Sequence, residues 1–125
     1  MIKVAPFEKL LGMKILEAKD GFAKTMMPYR KKFTNPHGIL HGGAICSLAD
    51  TAAAISLHTK CRDGIFFTVK LDIEFKSAIE DGEIFAEARI IKRKGKFFFS
   101  RIEVKDGKEK LLATGSAILF VPSEK

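Results

Sequence analysis

Asn35, His37, His41 and Asp50 are the side chains of this sequence best placed to do chemistry, and Gly42 and Gly43 lie between the last two. The first three belong to the polar stretch Asn35-Pro36-His37-Gly38-Ile39-Leu40-His41, which feeds into the apolar segment Ala44 to Leu57. Asparagine and histidine can both hydrogen-bond a ligand. Glycines opening a helix leave its first backbone N–H groups uncovered. Those donors, at the positive end of the helix dipole, favour an anion or a developing oxyanion. Asp50 is the only ionisable carboxylate or amine between Ala44 and Leu57, where a core helix should be apolar. Such an acid suits a general base or a nucleophile. Each residue also has an ordinary reading: Asn35 as a turn former, His37 as a structural residue or pocket wall, His41 as a loop orienter, Gly43 as a turn glycine, Asp50 as half of an ion pair.

The elements that position these groups follow from periodicity. Ile45, Leu48, Ala49, Ala52 and Ile55 recur at helical spacing, and the alanine content favours helix and close packing. A helix this apolar is buried on most faces, as when a sheet wraps around it. His41 and Asp50 are nine residues apart, which along a helix is roughly 13 Å and about 180° of rotation. One small reacting centre cannot touch both in the same chain. If both act in one reaction, Asp50 comes from a second copy, and a two-fold dimer supplies it in two equivalent sites.

Around this core the chain alternates turns and strands. Pro6 to Gly12 reads as a short helix, and Met13 to Ala18 and Phe22 to Pro28 as strands joined at Asp20-Gly21. Beyond the helix, which ends near His58 to Lys60, strands are expected over Ile65–Phe75, Glu83–Lys94, Phe97–Lys105 and Lys110–Pro122. Asp63-Gly64, Asp81-Gly82, Lys94-Gly95-Lys96 and Asp106-Gly107 mark the turns of an antiparallel meander. Alternation places Val69, Leu71, Ile73 and Phe75 on one face, toward the helix. Thr68 then reaches the site only if the strand start bends, bulges or lies at a dimer edge. The sum is an α+β layer fold with one long helix and five or six antiparallel strands, in one domain spanning residues 1–125.

With 125 residues, 46% hydrophobic and 30% charged, the chain reads as globular rather than disordered. No stretch is long and apolar enough for a membrane span, and no signal-peptide core opens the chain, so a cytoplasmic protein without membrane partners is expected. Cys46 and Cys61 read as reduced thiols. A net charge of +7 favours anionic partners such as a phosphorylated small molecule. No nucleic-acid-binding motif accompanies it, so nucleic acid is not expected.

The pattern Asn35-x5-His41-Gly42-Gly43, then Asp50-Thr51, then Thr68, resembles the hotdog-fold acyl-CoA thioesterases, in particular the phenylacetyl-CoA thioesterase branch of phenylacetate degradation. The likeness runs from Phe7-Glu8-Lys9-Leu10-Leu11-Gly12 to the last strand. It implies a homodimer, often a dimer of dimers, hydrolysing an acyl-CoA to the free acid and coenzyme A without a metal or organic cofactor. By the same resemblance Asp50 is general base or nucleophile, and the Gly42 N–H polarises the thioester carbonyl. Asn35 orients water or substrate, His41 supports the loop or contacts the reacting group, and the Thr68 hydroxyl holds water near the acid. Asp50 and Thr68 would come from one subunit, and Asn35, His41 and Gly42 from the other. Gly43 and His37 are candidates for contacts to substrate. Lys92, Arg93, Lys94 and Lys96 are candidates for the coenzyme A phosphates, against the plain reading of a solvated hairpin tip. Phe66-Phe67 and Phe97-Phe98-Phe99 could wall an acyl pocket or fill core and interface. A non-catalytic acyl-CoA sensor or carrier is the alternative. A dehydratase or isomerase would need a histidine–acid pair acting across one site, and no separate motif supplies it.

Overall fold

The computed structural model describes residues 2–62 and 64–123. In chain order its elements are α1 (Pro6–Leu10), β1 (Lys14–Lys19), β2 (Phe22–Pro28), a 3-10 turn (Lys31–Phe33), α2 (Gly42–His58), β3 (Ile65–Phe75), β4 (Glu83–Lys94), β5 (Phe97–Asp106) and β6 (Leu111–Ser123). These match the expected elements closely. The expected turn at Asp63-Gly64 falls partly outside the described residues, because Asp63 is not among them. Six strands form one antiparallel sheet in the order β1-β2-β4-β5-β6-β3.

The sheet curls around α2, and small residues permit it. Ala49, Ala52 and Ala53 of the helix are fully buried, and so are Ala23, Ala86 and Ala113 of the strands, with Ala88 and Ala117 nearly so. Alanine on both sides lets helix and sheet backbones approach closely, while Leu48, Leu57, Met27, Ile102 and Leu119 fill the wider spaces. The helix positions that remain partly open are Gly42, Gly43, Cys46, Ser47, Asp50, Ala54 and His58. They recur every three or four residues, so they form one stripe facing away from the sheet.

The expected alternation of β3 is broken. Thr68 pairs with Leu119 and Lys70 with Ile118, so Val69 has no partner of its own and bulges out of the ladder. A one-residue bulge flips the inward face. Phe66 and Thr68 point inward before it, Leu71 and Ile73 after it, and Val69 is left 47% exposed instead of facing the helix; Phe75, in phase with Leu71 and Ile73, reaches the start of α2 with its ring 52% exposed. β3 is also an edge strand, carrying Ile65 at 80% and Phe67 at 53% exposure.

Gly115 of β6 lies opposite Ile73 of β3. A Cβ there would stand 2.2 Å from the Asp72 carbonyl oxygen, which is backbone and cannot swing away. Gly115→Ala is therefore expected to lower stability by about 1–3 kcal/mol through overpacking, read as a lower urea midpoint by circular dichroism. An unchanged midpoint would contradict this close approach.

Candidate active site

The polar loop is built by its own asparagine. Asn35 Oδ1 accepts from the His37 N–H at 2.8 Å and the Ile39 N–H at 3.2 Å. The Asn35 N–H donates to the Ile39 carbonyl at 2.8 Å, and Gly38, at φ +79°, donates back to the Asn35 carbonyl at 3.1 Å. Tyr29 Oη donates to the Gly38 carbonyl at 2.7 Å. Asparagine suits this turn because its side chain mimics a backbone acceptor. The Asn35 amide oxygen is thus spent on the loop, and its NH2 group is what it can offer a ligand. His37 is exposed on the loop.

The loop delivers His41 to the start of α2 as its N-cap. The His41 N–H donates to the Phe33 carbonyl at 2.8 Å, and its Nδ1 accepts from the Gly43 N–H at 2.8 Å. An accepting Nδ1 puts any proton of a neutral ring on Nε2. Gly43 is therefore not available as a second oxyanion donor while this cap holds. Gly42 differs: among the described residues its N–H has no acceptor. The ring of Phe75 lies against it, 3.2 Å from where a Gly42 Cβ would be.

Further along α2, Asp50 is half-buried on the open stripe, and Thr68 Oγ1 donates to its Oδ1 at 2.6 Å. The β3 bulge makes this contact possible, since it allows Thr68 and Leu71 to face the same side. Cys46, one turn before Asp50, has its thiol pKa raised by burial and by the Asp50 charge. Neither Cys46 nor Cys61 is in a disulfide. Among the described residues no cluster of His, Cys, Asp or Glu could hold a metal ion, and no helix is long and apolar enough to cross a membrane.

The structure joins Asn35, His41 and Gly42 at one end of α2 and Asp50 with Thr68 at its middle. The basic candidates lie elsewhere. Arg93 stacks on Phe98 with its guanidinium 5.0 Å from the ring centre and donates from Nε to the Gly95 carbonyl, while Lys94 and Lys96 are exposed at the β4–β5 hairpin. Arg93, Lys92 and Lys60 border a cavity of about 600 Å3 beside Cys61, past the far end of the helix. α2 has 17 residues, about 25 Å of helix, so within one chain these cations do not meet Gly42. Phe98 is core, Phe97 and Phe67 flank Phe120 in an aromatic row, and Phe66 lies against His58, so these rings do not wall the helix start. His58 is half-buried against Phe66.

Three features escaped the sequence reading: Lys60 lining one cavity with Arg93, Phe75 against Gly42, and Glu8. Glu8 Oε1 accepts from the Ala5 N–H at 2.7 Å, and its Oε2 accepts from Thr51 Oγ1 at 3.3 Å. Glu8 therefore ties α1 to α2. The capping position of Glu8 was visible in sequence; its reach to Thr51 was not.

The thioesterase superfamily pattern matches residues 37–113, which hold the loop end, α2, Asp50 and Thr68. The chain belongs to the thioesterase superfamily. A relative from Archaeoglobus fulgidus, provisionally named an esterase, is 32% identical over 93% of this chain and 75% of its own length. A thioesterase enzyme from Staphylococcus aureus is 25% identical, covers 94% of this chain and 98% of its own, and superposes with a TM-score of 0.89. The phenylacetic acid degradation protein PaaI from Thermus thermophilus, solved as a variant, is 26% identical over 94% of this chain and 99% of its own, with a TM-score of 0.86. The hotdog fold and the resemblance to the phenylacetate-degradation branch stand on these matches. Superfamily membership supports thioester hydrolysis in general terms.

The Cys46 thiol reports on the Asp50 charge. A neighbouring anion disfavours the thiolate, so Asp50→Asn is expected to lower the Cys46 pKa while burial keeps it above the ordinary value. Alkylation of the Cys46 peptide, followed by mass spectrometry against pH, should shift to lower pH in the variant. A shift to higher pH would mean that Asp50 does not act on this thiol.

Proposed function

We propose that the protein hydrolyses acyl-CoA thioesters to a free acid and coenzyme A, at two sites each completed by two copies of the chain. The observation that carries this reading is the Gly42 N–H, without an acceptor among the described residues, at the start of a helix whose only acid lies just over two turns away. The thioester carbonyl oxygen accepts from the Gly42 N–H of one subunit. Asp50 of the partner copy takes a proton from water, which adds to the carbonyl carbon. The oxyanion gathers charge where a backbone donor already waits. Its collapse breaks the C–S bond, and the proton on Asp50 returns to the departing thiolate. Direct attack by Asp50, through an anhydride that water then opens, balances equally. Thr68 fixes Oδ1, and among the described residues no hydrogen bond engages Oδ2. The reaction so written needs no metal or organic cofactor.

Two surfaces support the dimer. The eleven-residue edge strand β3 exposes Ile65, Phe67 and Val69 beside unpaired backbone groups, an arrangement that invites pairing with a second strand. The open stripe of α2, which carries Asp50, is available to face its two-fold mate. Coenzyme A brings several phosphate charges, and Lys60, Lys92 and Arg93, with Lys94 and Lys96 at the hairpin, supply matching cations.

The first test is thiol release from phenylacetyl-, hexanoyl- and palmitoyl-CoA. Asp50→Asn is expected to reduce kcat by roughly 10²–10⁴-fold. Binding of acyl-CoA by the wild type without any thiol release would replace the hydrolase with a sensor or carrier.

Gly42→Pro removes the donor at a backbone position proline can adopt, with the exposed end of the Phe75 ring shifting a few tenths of an ångström to admit the new Cβ. Gly42 is the first helical residue, and His41 at ψ 135° already has the backbone that precedes proline. A loss of about 10²–10³-fold in kcat is expected, with the helical circular dichroism retained. Co-expressed Asp50→Asn and Gly42→Pro chains should recover about one quarter of wild-type activity, because half of a statistical mixture is mixed dimers, each with one intact site. No recovery above the separate variants would place the whole site in a single chain.

A further inference from the structure

We infer that Phe75 is a substrate-positioning residue of this site, whose ring keeps water from the Gly42 N–H and confines the thioester carbonyl to one side of it. This rests on the acyl-CoA hydrolase reading above. The tip of the ring, Cζ, lies 3.2 Å from where a Gly42 Cβ would stand, with Cε1 at 3.5 Å and Cε2 at 3.9 Å. All three atoms belong to the far end of the ring, so Phe75 meets the helix start end-on. Any side chain at position 42 would crowd it, so glycine both uncovers the N–H and admits the ring. The ring remains 52% exposed. It is not used up by core packing and keeps a free apolar surface beside the donor. Both residues belong to one chain, so their contact stands without a second copy, which brings its Asp50 to the side that the ring leaves open.

Backbone pairing on two sides holds the ring at the donor. Phe75 pairs with the fully buried Ala113 of β6. The Lys76 and Ser77 N–H groups donate to the Leu112 carbonyl at 2.8 and 3.2 Å. Just beyond, the carbonyl of the buried Ile79 accepts from the Leu40 N–H at 3.0 Å. Leu40 immediately precedes His41, the N-cap of α2. Residues 76–79 thus tie the end of β3 to the sheet on one side and to the start of α2 on the other. A phenyl ring has no acceptor to rival a carbonyl oxygen, so it displaces water from the N–H without satisfying it. A donor shielded in this way acts more strongly on a developing oxyanion, because fewer solvent dipoles compete with it. The ring also closes one approach to the donor, which limits the orientations a bound carbonyl can take.

The test combines amide exchange with kinetics on the full chain. Exchange of the Gly42 amide with water, read by NMR on protein labelled at its glycine nitrogens, should accelerate about tenfold or more in Phe75→Ala. The Gly43 amide, held by His41 Nδ1, should change less than about twofold, which a general loosening of the fold would not allow. In the same variant kcat for phenylacetyl-CoA should fall about tenfold or more while KM stays within about threefold. Phe75→Met, an apolar chain of similar reach, should return both exchange and kcat to within about threefold of wild type. Phe75→Val suits a strand and also removes the end of the ring, and the same values are expected of it if Phe75→Ala fails to fold. If the wild type hydrolyses acyl-CoA but Gly42 exchange is unchanged in the variants, or rises with no loss of kcat, the role of Phe75 is overturned and the hydrolase reading survives. No thiol release by the wild type overturns both readings, whatever the exchange shows.

Discussion

A rigid helix sets a distance that nothing else in the chain can shorten. α2 holds the Gly42 N–H at its start and Asp50 along its length, and the close alanine contacts with the sheet prevent it from bending the two together. Any single reaction that uses both groups must be assembled between two chains. The curled sheet, the exposed edge of β3 and the open stripe of α2 are consistent with that requirement. They leave Asp50 half-buried on the face that a second copy can approach.

Around this rod the polar groups are held before any ligand arrives. Asn35 organises the loop, the loop sets His41, and His41 caps the helix through Gly43. Among the described residues the result is one free donor, the Gly42 N–H, rather than several competing ones. Donors aimed in advance at a developing charge need little reorganisation during the reaction, which is why such an arrangement accelerates acyl transfer. On the other side a sheet irregularity performs the same task. The bulge at Val69 turns the Thr68 hydroxyl onto Asp50 while leaving Leu71 and Ile73 in the core.

The chemical character of the molecule changes along α2. Its start is bordered by Phe7, Leu11 and Phe33, whereas Lys60, Lys92 and Arg93 lie past its end. An acyl-CoA has the same polarity, with an apolar acyl group and a phosphate-rich handle. The net charge of +7 takes on meaning only through this placement, since the sequence spreads its basic residues along the whole chain.

Local patterns sufficed for much of this. Turn residues at Asp20-Gly21, Asp81-Gly82, Lys94-Gly95 and Asp106-Gly107 and the apolar periods between them specify every strand, and the alanine-rich run specifies α2, because these signals act over only a few residues. Asn35, His41, Gly42 and Asp50 stood out for the same reason: a polar loop, two glycines and a lone acid are anomalies in an otherwise apolar segment. Tertiary structure decided what depends on pairing between distant segments. The register of β3 against β6 produces the bulge, so alternation alone misplaced Val69 and left the partner of Thr68 open. Phe75 meets Gly42, Glu8 meets Thr51, and Arg93 shares a cavity with Lys60 only because the sheet closes around the helix. Periodicity reports which way a side chain points along its own segment; which residue it meets is settled by register and curvature.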